Sequence, residues 1–422
     1  MGCFAKSLLT FSQYIPIKYR LFRNIIHNGH IESMLKVIME RSLTDLIRHD
    51  CLQKVILLSG PRQSGKTTLA KQLFPVFDYF NYDSPKDRLT IMDMQWKRDV
   101  DTVIFDEIHK MTEWKRWIKG IYDTEGNKPH LIVTGSANLE VFRKAGDSLA
   151  GRYFRFRLHP IDLKEACLHW NNNPQETMKR LISVGGFPEP FLNGKSSFYR
   201  RWKKSHVDIM IRQDILDLHS VHSIQAIETL LLLLESRVAA TISYKNLAND
   251  LQVNDKSIKT WLEILENMYA VFRVTPYHKN IARSLLKEPK FYFYDIPRAQ
   301  DSGARLENLV ACALLKEINF IEDTLGYTMK LHYLRTKDGC EVDFLITCDA
   351  KPALCIEVKT SDNSPSKHFN VFRKSIGNVP CVQLVLHLNR EFDTQDGIQV
   401  RDLTKYLSHI DLRNICAQEI DS

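Results

Sequence analysis

The sequence predicts an α/β protein. A parallel sheet with a phosphate-binding loop comes first, helical units follow, and a second, smaller α/β domain closes the chain. Three observations carry this. The apolar run Val55-Ile56-Leu57-Leu58 leads through Ser59 into Gly60-Pro61-Arg62-Gln63-Ser64-Gly65-Lys66-Thr67-Thr68 and then into a helix pattern with one apolar face. A second apolar run, Thr102-Val103-Ile104-Phe105, ends in the adjacent carboxylates Asp106 and Glu107. Much later, Cys340 to Ile346 and Leu354 to Lys359 read as two strands joined by a turn, with acids on one face.

Composition narrows the class. The 422 residues allow two to four domains, and 44% hydrophobic with 26% charged residues is ordinary for a globular chain. Nine cysteines are scattered without CxxC pairs or zinc spacing, which reads as a reduced cytoplasmic chain of free thiols. Apolar runs such as Leu230 to Leu234 are too short to cross a bilayer, so no membrane partner is expected. A net charge of +8 permits nucleic-acid binding without establishing it.

In chain order, residues 1–34 are basic and acid-poor, and are expected to be a poorly ordered extension or an over-long start before Met34 or Met39. The glycine loop follows. Its glycines let consecutive N–H groups turn towards a phosphate, Lys66 brings a point charge for the β- and γ-phosphates, and the Thr67 hydroxyl suits Mg²⁺. Gly60, Pro61, Arg62, Gln63, Ser64, Gly65, Lys66, Thr67 and Thr68 are thus the expected ATP-binding set. Asp78 to Asp83 reads as the next strand. On the acidic strand, Asp106 is placed to hold Mg²⁺ and Glu107 to polarise the attacking water. His130 to Asn138 reads as a further strand, and Thr134, Ser136 and Asn138 all qualify to sense the γ-phosphate, Ser136 being the one taken forward. Arg152, after Asp147-Ser148-Leu149-Ala150-Gly151, fits either a surface arginine or an arginine finger given to a neighbouring subunit, which would imply a homo-oligomer.

These motifs, with Phe105-Asp106-Glu107-Ile108, Thr134-Gly135-Ser136, Ser148-Leu149-Ala150-Gly151-Arg152 and Gly185-Gly186-Phe187-Pro188, resemble the prokaryotic AAA-type ATP-binding proteins that carry a C-terminal domain of unknown function. The resemblance runs from about residue 35 to 385 and implies a P-loop NTPase core with an extra strand between the loop strand and the acidic strand.

Residues 166–235 read as a helical lid or connector broken at Gly185 to Pro190. Thr241 to Ala248, Asn254 to Leu262 and Ala270 to Val274 give two short helices around a polar turn and then a strand, a winged helix-turn-helix pattern. Nine Lys/Arg against five Asp/Glu lie between Ser236 and Lys290, with Lys256, Ser257 and Lys259 on the candidate recognition helix. In the last domain Asp343 shares a strand face with Glu357 and Lys359, and Glu307 opens a helix. This set resembles the PD-(D/E)xK restriction-endonuclease-like fold, with Val342 where its proline would stand, and implies a second Mg²⁺ or Mn²⁺ site.

The expected organisation is therefore an extension (1–34), an AAA-like ATPase (35–165), a lid (166–235), a winged helix (236–288) and a nuclease-like domain (289–422). The expected function is ATP hydrolysis coupled to a DNA-handling module. The rivals are an ATP-licensed, metal-dependent DNA nuclease and an ATP-dependent switch acting on a protein partner.

Overall fold

The three central strands of the first sheet are buried on both faces, and that dictates what must cover them. In this computed structural model, which describes residues 40–136, 149–170, 172–210, 224–278 and 287–417, β1 (Val55–Ser59), β3 (Thr102–Asp106) and β4 (His130–Gly135) are buried along their whole length. β2 (Phe77–Asn81) and β5 (Tyr153–Arg157) flank them, half-buried. The sheet is parallel throughout, in the order β2-β3-β4-β1-β5. Alternation sends Val55, Leu57, Val103, Phe105, Leu131 and Val133 into one core. Ile56, Leu58, Ile104 and Ile132 enter another on the opposite face. Because the strands are parallel, all their C-terminal ends share one edge. The register places Asp106 and Leu58 on either side of Thr134.

After β5 the chain makes a tight joint. Ile161 N–H donates to Gly186 O at 2.7 Å, and a Cβ on Gly186 would stand 2.0 Å from the Ile161 carbonyl oxygen. Only glycine fits there, which explains the break expected at Gly185 to Pro190. Helices Pro174–Val184 and Ser196–Ile209 lie on either side of it.

Helix Ile224–Glu235 is followed by a single bridge residue, Thr241, and by helices Tyr244–Leu251 and Asp255–Asn267. Ser243 and Asn254 cap the latter two with their side-chain oxygens. β6 (Val271–Pro276) then pairs antiparallel with β7 (Lys290–Phe293), while Thr241 bridges Lys290. These two strands do not stop at the expected domain limit. β6 also pairs parallel with β8 (Met329–Arg335), and the sheet continues through β9 (Glu341–Cys348), β10 (Lys351–Lys359), β11 (Cys381–Val385), β12 (Phe392–Asp393) and β13 (Ile398–Asp402) in the order β12-β13-β11-β10-β9-β8-β6-β7. A boundary at 288/289 would cut through one sheet.

Helix Ser302–Leu325, capped by Asp301, fastens this second sheet to the first. Its Asp323 takes Arg157 at 2.7 Å and Arg155 at 3.1 Å from β5, and its Lys316 reaches Glu165 at 2.7 Å and Asp162 at 2.9 Å. From Ser42 onward the described residues form one compact unit. Among them no helix is long and apolar enough to cross a membrane.

The expectation of a chain of free thiols is corrected by a disulfide between Cys348 and Cys416. Their 68-residue separation leaves no spacing signal, and only the packing of the last helix, Arg413–Ala417, against β10 brings the two together. The expected extension, residues 1–34, lies outside the described residues.

Candidate active site

Chain direction changes sharply after β1, and Gly60 makes that possible. Its φ is +148°, and a Cβ there would lie 2.3 Å from the Leu158 carbonyl oxygen. Gly65, at φ +98°, caps helix Lys66–Leu73 without a side chain, so the N–H groups of the helix's first turn remain available to an anion. Lys66 is buried and reaches back across the loop: its Nζ donates to Gly60 O at 2.9 Å and Pro61 O at 2.7 Å.

Asp106 is the hub. Its Oδ2 accepts from Thr67 Oγ1 at 2.8 Å and from Tyr79 OH at 2.9 Å, and its Oδ1 accepts from Thr134 Oγ1. The loop helix and strands β2, β3 and β4 thus meet on one carboxylate. Glu107 leaves the strand in the left-handed region at φ 56°, its N–H donating to Thr134 O at 3.0 Å. For a non-glycine residue that conformation costs on the order of 1 kcal/mol, and here it turns the side chain away from Asp106's partners. Glu107 Oε2 accepts from Ser136 Oγ at 3.2 Å and lies 3.6 Å from His109 Nε2. Burial, with Lys110 adding to it, pushes His109 down to about 4, so the imidazole is neutral at physiological pH.

The three candidate sensors separate. Thr134 serves Asp106 and Ser136 serves Glu107, while Asn138 lies outside the described residues. Tyr79 and His109 were missed by sequence reasoning. Tyr79 matters only because β2 pairs with β3, which no local pattern reveals. His109, two residues after Glu107, was open to notice. Helix Ser196–Ile209 reaches the loop through His206, which stacks on Trp202 and faces the Arg62 backbone. Burial first, and Arg298 second, push this histidine down to about 3.

Arg152 is not brought to the loop of its own chain. It precedes β5, whose first residue pairs with Val55 at the far end of β1. Five residues of strand, at about 3.3 Å each, put it roughly 16 Å from the loop. There it grips Asp123 with two nitrogens, at 2.6 and 3.2 Å.

In the second sheet the expected carboxylates do gather, but with cations between them. Lys290, 1% exposed, pairs with Glu341 at 2.6 Å and Glu307 at 3.1 Å, and Tyr292 OH donates to Glu307 at 2.6 Å. Asp343 accepts from Val358 N–H at 2.8 Å, and Lys359 pairs with Glu357 at 2.7 Å. One oxygen of Glu357 is buried without a hydrogen-bond partner. Among the described residues no three His, Cys, Asp or Glu side chains are placed to hold a metal. The expected second metal set of Asp343, Glu357, Glu307 and Lys359 is thus left without support among the described residues. Of that set, only Glu307 is paired with Lys290, a buried cation that β7 carries in from another part of the chain.

Burial, with Glu307 and Glu357 beside it, raises the Asp343 carboxyl well above the ordinary carboxylate range. An acid whose folded-state value is raised keeps its full stabilising contribution only below its unfolded value, about 3.9, and loses it as pH rises. Asp343→Asn mimics the protonated form and escapes that loss. Its melting temperature should therefore gain on wild type as pH is raised from 5 to 8. A difference that stays flat across that range would mean Asp343 is not held protonated.

A glycine loop on β1, an acid pair after β3 and hydroxyls on β4, gathered at one edge of a parallel sheet, define a P-loop nucleotide-binding module. Residues 52–167 match the family described as an AAA domain, which supports an AAA-type P-loop module here. Residues 175–297 and 302–406 match two families described as domains of unknown function (DUF8612 and DUF4143). The chain is similar to an uncharacterized protein of Methanocaldococcus jannaschii, 24% identical over 406 residues, covering 87% of this chain and 88% of that one. It is also similar to an uncharacterized protein of Mycobacterium tuberculosis, 22% identical over 310 residues, covering 71% and 68%. Among solved structures, the Aeropyrum pernix ORC1 protein in complex with DNA matches at 11% identity and TM-score 0.30, over 64% of this chain and 90% of that one. Thermotoga maritima RuvB matches at 14% and 0.27, over 55% and 87%. Both scores are too low to transfer a site.

Proposed function

We propose that the AAA-type module hydrolyses ATP and that its nucleotide state is passed to a DNA-handling unit built from residues 236–293. The observation that carries the first part is the meeting of Thr67, Asp106 and Thr134 beside a separately held Glu107. Thr67 and Asp106 offer the oxygen ligands that Mg²⁺ prefers. Bound with ATP, that ion would supply positive charge against the β- and γ-phosphates. Lys66 binds phosphate oxygens, the first-turn N–H groups of its helix add their dipoles, and Glu107 takes the proton of the attacking water. Ser136 holds the Glu107 carboxylate by its hydroxyl, with neutral His109 beside it.

The DNA-handling reading rests on the order of elements and on exposed charge. Helix, bridge, two capped helices and an antiparallel strand pair follow the winged-helix order. Lys256 and Lys259 are exposed on helix Asp255–Asn267, as phosphate contacts require. ATP turnover in Mg²⁺, measured with and without duplex DNA, tests it. Wild type should be stimulated several-fold, less so at high salt, and the Lys256→Ala/Lys259→Ala chain should not respond. Absence of stimulation would favour a switch directed at a protein partner.

Arg152 we assign to a neighbouring subunit's site, since its distance from its own loop leaves no role there. Arg152→Ala should lower turnover on the order of a thousandfold with nucleotide binding intact. Mixing it with Lys66→Ala chains should restore part of the activity, because each supplies what the other lacks. No recovery on mixing, or a monomer at every concentration, makes it a surface arginine bound to Asp123.

A further inference from the structure

A buried bond that spans 210 positions of sequence ties the strand before the nucleotide loop to the helix-turn-helix unit: Tyr269 OH donates to Ser59 Oγ at 3.0 Å. Ser59 is the last residue of β1 and the one immediately before Gly60. Tyr269 stands on the two-residue turn between Met268, which caps helix Asp255–Asn267, and β6. Both side chains are buried, and the Tyr269 ring packs edge-on against Tyr294, 5.6 Å between centroids.

Two further observations make this bond more than filler. Tyr269 sits at φ 56°, a left-handed conformation that a bulky aromatic residue adopts only when its surroundings impose it. The turn is therefore held by tertiary contact rather than by local preference. The frame around Ser59 is also stiff on its outer side. Ser59 pairs in register with Arg157, and Arg157 is clamped by Asp323 at 2.7 Å and Glu322 at 2.8 Å. Leu158 N–H ties the Ser59 carbonyl at 2.8 Å. The loop leaves this frame at Gly60, directly after Ser59. The Ser59 hydroxyl beside that exit is held by the turn that follows helix Asp255–Asn267.

We infer that Tyr269 is a positioning residue that couples the nucleotide loop to the helix-turn-helix unit through the Ser59 hydroxyl. The inference rests on the reading of the loop as an ATP site. ATP at the loop shifts Ser59, the hydroxyl pair transmits the shift, and the turn after helix Asp255–Asn267 changes its dynamics. A bond that only glued two elements together would protect the unit equally with and without nucleotide. A coupling bond makes protection depend on nucleotide.

Hydrogen exchange on the full chain, with and without ATP and Mg²⁺, reads this difference, and calorimetry on the same samples reports ATP binding separately. In wild type, ATP should alter amide exchange across Ser243 to Pro276. In Tyr269→Phe, which keeps the ring and deletes the hydroxyl, ATP should bind within about threefold of wild type while the exchange difference in that segment falls by more than half. Ser59→Ala breaks the same bond from the other side, should act alike, and carries the test if Tyr269→Phe does not fold. A wild-type-sized exchange difference in both variants, or none in a wild type that binds ATP, overturns the coupling role. A wild type that binds no ATP overturns the nucleotide reading itself, and the coupling with it.

Discussion

Lys66→Ala is expected to weaken ATP binding by on the order of a hundredfold, about 3 kcal/mol, the cost of removing one partner from a buried charge pair. In the nucleotide-free loop the ammonium is buried against the carbonyls of Gly60 and Pro61. Neither carbonyl carries a full charge, so the lysine exchanges neutral acceptors for phosphate oxygens when the nucleotide arrives, and that exchange is a gain. Deleting it removes the gain and leaves the rest of the loop intact, since Gly60 and Gly65 set the backbone. A calorimetric titration with ATP checks this. Unchanged affinity in a folded Lys66→Ala chain would mean that the loop does not hold phosphate.

Glu107→Gln should leave ATP affinity near wild type and lower kcat by about 10²- to 10⁴-fold, the usual weight of a general base. The separation of effects follows from geometry. Asp106 carries the contacts to Thr67, Tyr79 and Thr134, whereas Glu107 touches Ser136 and neighbours His109. Glutamine keeps the size and the Ser136 contact but cannot take a proton. Steady-state phosphate release in Mg²⁺ is the measurement. Turnover close to wild type would place water activation on another group. His109 is a poor substitute, because its lowered pKa makes it a weak base.

Much of this site is legible in the chain because it is local. A strand that must be buried on both faces is apolar at every position, a backbone that must wrap a phosphate needs glycine, and acids that must face the nucleotide follow the last strand residue. Those constraints act within about ten residues, so Gly60 to Thr68, Asp106 and Glu107 stand out directly, while Thr134, Ser136 and Asn138 stay alternatives. The break at Gly185 and Gly186 is legible for the same reason, though its cause, the carbonyl of Ile161, is not.

Other features depend on partners far away in sequence. Tyr79 belongs to the site only because β2 lies beside β3, and Arg152 falls out of its own site only because β5 runs parallel to β1. The acids of the second sheet gather much as their alternation suggested. Lys290 enters among them from β7 and pairs with Glu307 and Glu341. Cys348 and Cys416 meet by packing alone. Local chemistry determined the loop, the acid pair and the order of helices and strands, because each is enforced by the backbone of a few neighbouring residues. Only the tertiary structure decided which charges neutralise one another and which hydroxyl touches Ser59, because Coulomb energy and hydrogen bonding depend on distance in space, and sequence separation does not record it.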